Sequence, residues 1–565
     1  MPDYSALSKE ELLTIVGKLE AQKKYGLVWD IDRTKEVFEA DLHTSIPFLT
    51  EETKNNLYIG EELQNNVFIE GDNYHALSVL NYTHQGKVDV IFIDPPYNTG
   101  NKTWRYNNSY VESDDTYKHS KWISFMHKRL KLSKNLLTDD GIIIVSIDDY
   151  EVHNLRFLLD EIFGENNRLG TITVINKKSG RTTDKFFATS HEYYYFYAKN
   201  SEIASIGMME SSEETKQTYR LADEEGSYKW RDFLRTGGFS TPEERPNSHY
   251  PIYFDPKTKK IDIEKFPNSI EIFPVDSKGK NRVWRQTRPS LMKLVTAGSI
   301  LIEETKTGWK VRIKDRIKMV VKPKTVWDNP LYDAATHGTK LLESILNKPR
   351  TFDFPKSVYA VKDALSVALN GKESAIILDY FGGSGTTAHA VALLNKEDDG
   401  NRKYIICTNN ENNIASEVCF PRIKNVIEGV DGLDEITGIS SNLFYFKTSF
   451  VQKSTSPDET RIRVGENCND LIKIRENVFE TLERNEYYGL HRNNKKIVGI
   501  YHSIDPSNLS TLKKKLKDFK GEKVLYCFTL DNLGLNTEDY DDLDDVRLEP
   551  IPQSIIDIFE GLNDV

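Results

Sequence analysis

Residues 88 to 93, VDVIFI, form a mostly apolar, β-branched run that ends abruptly at Asp94-Pro95-Pro96-Tyr97. A short run of this kind, bounded by a turn, predicts a buried strand. The segments around it alternate in type. NNVFIEGDNYHALSVL (65–80) reads as strand, Gly-Asp turn and helix, and Ile123, Met126, Leu130 and Leu137 recur as one helical stripe. GIIIVSIDD (141–149) is a second continuous apolar strand ending in acids, followed by a helix to about Phe163 and by the strands TITVIN and HEYYYFYAKN (191–200). Apolar strands alternating with amphipathic helices predict an α/β domain with a largely parallel sheet. In such sheets ligands bind outside the carboxyl ends of the strands, where Asp94 stands.

The pattern breaks at about 201 and resumes after 335. AIILDYFGGSGTTAHAVALL (375–394) reads as strand, glycine turn and a helix opening at Thr386, and KYIICTNNEN (403–412) as the next strand. Gly382, Gly383 and Gly385 let backbone approach a ligand closely. The helix start behind them offers free N–H groups and a positive dipole end. The spacing is not G-x-G-x-x-G and no G-K-[ST] follows, which disfavours dinucleotide and P-loop sites.

Between the two halves the apolar periodicity weakens. From Arg282 to Lys324 there are 12 Lys/Arg against 3 acids, interleaved with Trp284 and Trp309. A solvated face and a nucleic-acid surface are both open for such a run. Its position as an insertion favours the second, with Arg282, Arg285 and Arg288 as candidates for phosphates and the tryptophans for bases. The whole chain carries a formal charge of −11 over 565 residues, so any basic groove is local. No apolar run approaches the ~20 residues of a membrane helix, and the N-terminus lacks a secretory pattern. The four scattered cysteines form no metal spacing and suit a reducing cytoplasm.

DPPY after one strand and FGGSGT after another together resemble the amino-methyltransferases of DNA, which methylate the exocyclic amine of adenine or cytosine. The order of tetrapeptide, insertion and glycine turn resembles the β-class arrangement, with target recognition between the motifs. IEGDNYHAL, FDFPKSVYAVKDAL (352–365) and GNRKYIICTN resemble further family segments, and the likeness spans about 57 to 430. The overall plan, with KKYGLVWD near the start, resembles the modification subunit of a type III-like restriction-modification system.

The resemblance implies a Rossmann-like S-adenosylmethionine-dependent methyltransferase fold with a mostly parallel sheet. It implies an N-terminal helical extension (1–56), a catalytic domain (57–200 and 336–430), an inserted target recognition domain (201–335) and a C-terminal α+β domain (440–565). S-adenosyl-L-methionine is the implied cofactor, with no metal. Double-stranded DNA, a second copy of the chain and a nuclease-translocase restriction subunit are the implied partners. Asp94, Pro95, Pro96 and Tyr97 take the catalytic place: the Asp94 carboxylate and the Pro95 carbonyl accept the amine N–H groups, and Tyr97 stacks on the base. Phe381, Gly382, Gly383, Ser384, Gly385 and Thr386 match the turn around the methionine part of the cofactor. Asp379 matches a partner of its ammonium, Asp72 of its adenine edge and Lys356 of its carboxylate. Many relatives end the next strand with an acid or Gln that binds the ribose hydroxyls; here Cys407, Thr408 and Asn409 stand there, and the ribose contact has no assigned residue. Adenine N6 is the leading target because the tetrapeptide begins with Asp. Cytosine N4, or a catalytically idle DNA-recognition subunit, are the alternatives.

Overall fold

The computed structural model describes residues 44–563 apart from 99–117, 183, 307, 431, 433–436, 532–533, 536–539 and 544, together with Ser8. Most of the expected N-terminal extension, including KKYGLVWD, lies outside the described residues.

A ten-stranded sheet organises the molecule. Its strands are β1 (Ser45–Glu51), β2 (Asn65–Glu70), β3 (Val88–Ile93), β4 (Leu137–Ile147), β5 (Arg168–Ile175), β6 (His191–Ala198), β7 (Val326–Trp327), β8 (Ile376–Asp379), β9 (Lys403–Thr408) and β10 (Asn442–Gln452). The spatial order is β1-β10-β2-β9-β8-β3-β4-β6-β5-β7. From β10 to β4 every neighbouring pair is parallel. The antiparallel pairs β1/β10, β4/β6 and β6/β5 lie towards the two edges.

The parallel centre explains the apolar runs. Ile91 and Ile93 pack into one core with the helices α1 (Asn73–Thr83), α2 (Lys118–Leu136) and α3 (Val152–Phe163). Val90 and Phe92, pointing the other way by the two-residue strand period, are buried as well. Two further helices, α4 (Val358–Leu369) and α5 (Thr386–Asp398), pack against each other, and α4 also touches β3.

The structure draws the expected boundaries differently. The inserted unit is 208–322, narrower than 201–335, because Val326 and Trp327 already pair with Thr173 and Val174 in the main sheet. The C-terminal part does not stand apart from 440. Asn442–Gln452 is a strand of the ten-stranded sheet, lying between β1 and β2. Beyond it, a five-stranded sheet shares its core residues Val498, Ile500, Val524, Tyr526 and Ile551 with the core under α1. Within the supposed N-terminal extension, Ser45–Glu51 is a strand.

Candidate active site

β3 and β8 are neighbours in register, Val90 beside Ile377 and Ile91 beside Leu378. The DPPY turn and the glycine turn, distant in sequence, therefore emerge side by side at the carboxyl edge of the sheet. Asp94 is half-buried there. Its Oδ1 accepts a hydrogen bond from the Tyr97 hydroxyl at 2.7 Å, and that hydroxyl is also bonded to Ser146 Oγ at 2.6 Å. Its Oδ2 lies 2.8 Å from Lys356 Nζ. Trp122 Nε1 donates to the Pro96 carbonyl at 2.7 Å and pins the turn to α2. The Pro95 carbonyl accepts no hydrogen bond among the described residues.

Tyr97, expected to stack on the base, is half-buried. Burial, reinforced by the Asp94 charge, pushes its phenol well above the ordinary range. Lys356 matches a partner of the cofactor carboxylate by resemblance, but its ammonium sits between Asp94 and Glu192, 3.3 Å from the latter, and 4.8 Å from the centre of the Tyr97 ring. Burial pulls its pKa down, but Asp94 and Glu192 outweigh that and raise it above the ordinary lysine value. Glu192 itself has no place among the sequence expectations. It is buried, its pKa is raised by desolvation, and it accepts from Asn176 Nδ2 at 3.0 Å. The signal that could have found it is a lone acid inside the aromatic strand HEYYYFYA.

On the other side of the edge, Asp379 ends β8. It is buried, accepting from Phe381 N at 2.9 Å and from Thr387 Oγ1 at 2.6 Å. Burial pushes its pKa up to about 7, against the pull of those two bonds, and the Asp94 charge adds to the rise. Gly383 and Gly385 hold φ of +49° and +76°, values that L side chains rarely adopt. A Cβ on Gly385 would lie 3.2 Å from the Cys419 carbonyl and 3.3 Å from its sulfur, so this glycine admits close packing by the chain itself. Phe381 is a core residue, its ring 5.8 Å from that of Phe125.

Ser384 and Thr386 depart from expectation in their side chains. Both hydroxyls turn to the buried Arg422, whose Nη1 reaches Ser384 Oγ at 3.2 Å and Thr386 Oγ1 at 2.8 Å. The two hydroxyls are buried and also bond each other at 3.1 Å. Arg422, absent from the sequence reading, thus braces the turn from behind, and burial lowers its pKa to about 10. Asp72 caps α1 by accepting from Tyr74 N at 2.7 Å, and Arg129 Nη2 stands 3.5 Å from its other oxygen. At the end of β9, the Asn409 side-chain oxygen is buried and has no hydrogen-bond partner among the described residues.

An unpaired acceptor in a strand-end site invites a hydroxyl donor. A buried carboxyl group balanced near neutrality invites a cation. Together with the glycine turn, these residues fit a ligand bearing both, as S-adenosylmethionine does. No group of three or more His, Cys, Asp or Glu side chains among the described residues has the geometry of a metal site.

A family model described as DNA methylase matches residues 88–419, well over half of the chain and enclosing both turns. The chain belongs to the DNA methylase family. The methylase is 33% identical over 423 residues to the type II methyltransferase M.KpnI of Klebsiella pneumoniae, a match covering 72% of this chain and 95% of that one. It is 30% identical over 441 residues to the EcoPI Mod subunit of the type III restriction-modification enzyme of Escherichia phage P1, covering 72% and 67%. Among solved structures, PvuII DNA methyltransferase (cytosine-N4-specific) aligns with a TM-score of 0.31 at 11% identity, covering 67% of this chain and 93% of that one.

The methylase's inserted unit has a core of its own built on Phe233, Tyr250, Phe254, Trp284 and Val311. Trp284 is buried and stacked on Phe233 with ring centres 5.5 Å apart, and Trp309 packs edge-on against Phe254 at 5.3 Å. Trp284 is committed to this core, and the half-buried Trp309 packs against it. Arg282 is likewise committed: its Nε donates to Asp276 at 2.8 Å and its Nη1 to Ser240 at 3.0 Å. Arg288 is exposed, its guanidinium 5.5 Å from the centre of the Tyr250 ring. Arg285 differs again. Burial, and after it the charges of Arg231 and Arg235, lower its pKa against the pull of Asp232 and Asp315, and its Nε donates to the Asp232 carbonyl at 2.8 Å. Arg231 and Arg235 come from KWRDFLR (229–235), outside the charge run of 282–324.

Proposed function

We propose that this methylase transfers a methyl group from S-adenosylmethionine to the N6 amine of adenine in double-stranded DNA, as the modification and DNA-recognition subunit of a restriction-modification system. The observation that carries the chemistry is the adjacency of Asp94 and Asp379 at one sheet edge. An acceptor for the amine and a holder for the cofactor's cationic end then lie on neighbouring strands. The sequence likeness to a type II methyltransferase and to a type III Mod subunit supports the system.

When bound, S-adenosylmethionine supplies a methyl group on a positively charged sulfur. The chain's part is to present the nucleophile. The adenine amine attacks poorly while its lone pair is delocalised into the ring. An ionised carboxylate has about four acceptor sites, and Asp94 uses one for Tyr97 and one for Lys356. It retains room to accept one amine N–H, and the free Pro95 carbonyl can accept the second. Both bonds favour a tetrahedral nitrogen whose lone pair points at the methyl group. They strengthen as positive charge develops on that nitrogen, which is the condition for catalysis rather than mere binding. The carboxylate is a stronger, charge-assisted acceptor than the serine hydroxyl more common in cytosine-N4 enzymes.

Incubation with tritiated cofactor and mixed-sequence DNA, followed by hydrolysis to nucleosides, tests this. Label in N6-methyladenosine is expected, and Asp94→Ala should abolish it while cofactor affinity persists. Label in N4-methylcytosine moves the target to cytosine. Absence of label with wild-type protein that binds cofactor and DNA points to an idle recognition subunit.

A further inference from the structure

The hairpin joining β5 to β6 has no part in the chemistry of Asp94 or Asp379. Ile147 of β4 pairs with Tyr193 of β6, and Ile175 of β5 with His191, so residues 176–190 project from the same sheet edge that carries Asp94. The segment is built rather than loose. Asn176 N and Lys177 N donate to the Ser190 carbonyl, Arg181 N to that of Thr189 at 2.9 Å, and Thr189 N to the Asp184 carboxylate at 2.8 Å. Gly180, at φ +70°, lies so close to Ala188 that a Cβ there would come within 2.6 Å of that side chain. At its base, the Asn176 side chain bonds Glu192, which bonds Lys356, which bonds Asp94.

The tip of this hairpin carries Phe186 and Phe187, 82% and 91% exposed, the two most exposed large apolar side chains described. Soluble chains avoid presenting adjacent phenylalanines to water without a use for them. The same hairpin carries Lys177, Lys178, Arg181 and Lys185 against the single acid Asp184, in a chain whose net charge is −11. The Lys185 ammonium lies 5.2 Å from the centre of the Phe186 ring. An apolar partner protein would not call for a hairpin with four cations, one of them beside a ring. A nucleic-acid duplex calls for both: phosphates for the cations, and a base stack into which an aromatic wedge can enter.

We infer that the 176–190 hairpin is a DNA wedge: Phe186 and Phe187 enter the base stack and occupy the space left when the target base is extruded towards Asp94, while Lys177, Lys178, Arg181 and Lys185 engage flanking phosphates. This rests on the reading of the chain as a DNA methyltransferase and adds the element that holds the duplex open. Its energetic logic is that unstacking a paired base is uphill, least so for a mismatched one. A wedge therefore matters most where the target is correctly paired.

The test uses the full chain, a duplex containing a methylation site mapped in host DNA, and the same duplex with a mismatch opposite the target base. Phe186→Ala/Phe187→Ala should lower kcat/KM on the matched duplex by about tenfold or more and recover most of that loss on the mismatched one. Fluorescence of 2-aminopurine at the target position should rise with wild-type protein and stay low with the variant. Cofactor affinity by calorimetry should not change, since both side chains are in solvent. Equal rates for variant and wild type on the matched duplex overturn the wedge and leave the pair as a docking patch for another protein. An equal loss on both duplexes also overturns it, because extrusion is then not the step affected. Wild-type protein that neither methylates nor binds any duplex overturns the methyltransferase reading itself, and the wedge with it.

Discussion

Asp379 offers the sharpest test of the cofactor site, because its burial sets a measurable pH dependence. With no cation beside it, the carboxyl group titrates at about 7, held there by desolvation against two hydrogen bonds, with the Asp94 charge adding to the rise. A cationic ligand group needs the ionised form. For a group titrating at about 7, the ionised fraction is about 3% at pH 5.5 and about half at pH 7, so apparent affinity should climb about 15-fold over that range. Above about pH 8 it should fall again as the cofactor's own α-amino group, with an ordinary pKa of about 7.7–8.0, loses its proton. Calorimetric titration of S-adenosylmethionine at half-unit steps, in buffers of different ionisation enthalpy, reads both the affinity and the proton released on binding. Asp379→Asn should weaken binding and remove the rising limb while leaving the falling one. An affinity that is flat from pH 5.5 to 7, or a rising limb that survives Asp379→Asn, refutes the assignment.

The same burial works against the empty fold, and the sign is fixed by linkage. The folded chain keeps a proton that the unfolded chain has released between its ordinary value of 3.8 and about 7, so this group's contribution to stability falls as pH rises through that window. A displacement of that size corresponds to about 4 kcal/mol at most. Asp379→Asn should therefore raise the melting temperature of cofactor-free protein at pH 8, and much less at pH 4.

Further predictions concern the turn, the strand end and the insert. Gly385→Val should lower the melting temperature as well as cofactor affinity, since its Cβ would press on Cys419 at a positive φ; an unchanged melt would mean the turn relaxes freely. Asn409→Leu removes a buried acceptor that has no partner in the described fold, so cofactor-free stability should hold or rise while affinity falls by up to about tenfold, the worth of one hydrogen bond; unaltered affinity would take Asn409 out of the ligand site. Replacing Arg231, Arg235 and Arg285 with Gln should lower the log–log salt slope of DNA binding by roughly 0.9 for each phosphate left without its guanidinium, whereas Arg282→Gln should destabilise the insert and spare the slope.

The catalytic sheet is legible in the sequence because its strands are buried on both faces and therefore continuous, as VDVIFI and GIIIVSI are. The strand-end turns are legible for a related reason: Pro95, Pro96 and the 382–385 glycines restrict or free the backbone in ways that leave few alternatives. What escapes is decided by side-chain partners across the fold. Ser384 and Thr386 look like ligand residues until Arg422 is folded behind them. Arg282 looks like a phosphate contact until Asp276 closes on it. The insert misleads most, because its short strands carry no period long enough to separate a core tryptophan such as Trp284 from an exposed one. The segment Asn442–Gln452 reads as a strand but gives no sign of its place in the catalytic sheet, since pairing with Asn65–Glu70 is a relation between distant segments that neither announces alone.

The charges at the sheet edge have a common logic. Asp94 and Glu192 meet around the single Lys356 ammonium, and Asp379 stands on the next strand with no cation bonded to it among the described residues. Asp148, buried at the end of β4, adds a fourth acid, its pKa pushed up to about 6 by burial. Lys356, with Arg181 acting on Asp148, faces four carboxyl groups, and the low-dielectric surroundings make their charge count for more than it would in water. Burial raises the pKa of three of the four, Asp379 to about 7, Asp148 to about 6 and Glu192 in the same direction. A ligand that brings positive charge to this edge relieves that negative charge, and on the proposed reading this suits both a cationic donor and a nitrogen that becomes positive as it attacks. Lys356 and Tyr97 meanwhile each hold one oxygen of Asp94, so the acceptor is set before the base arrives. The arrangement lowers the reorganisation needed at the moment of transfer, the usual way in which a preorganised polar site accelerates a reaction.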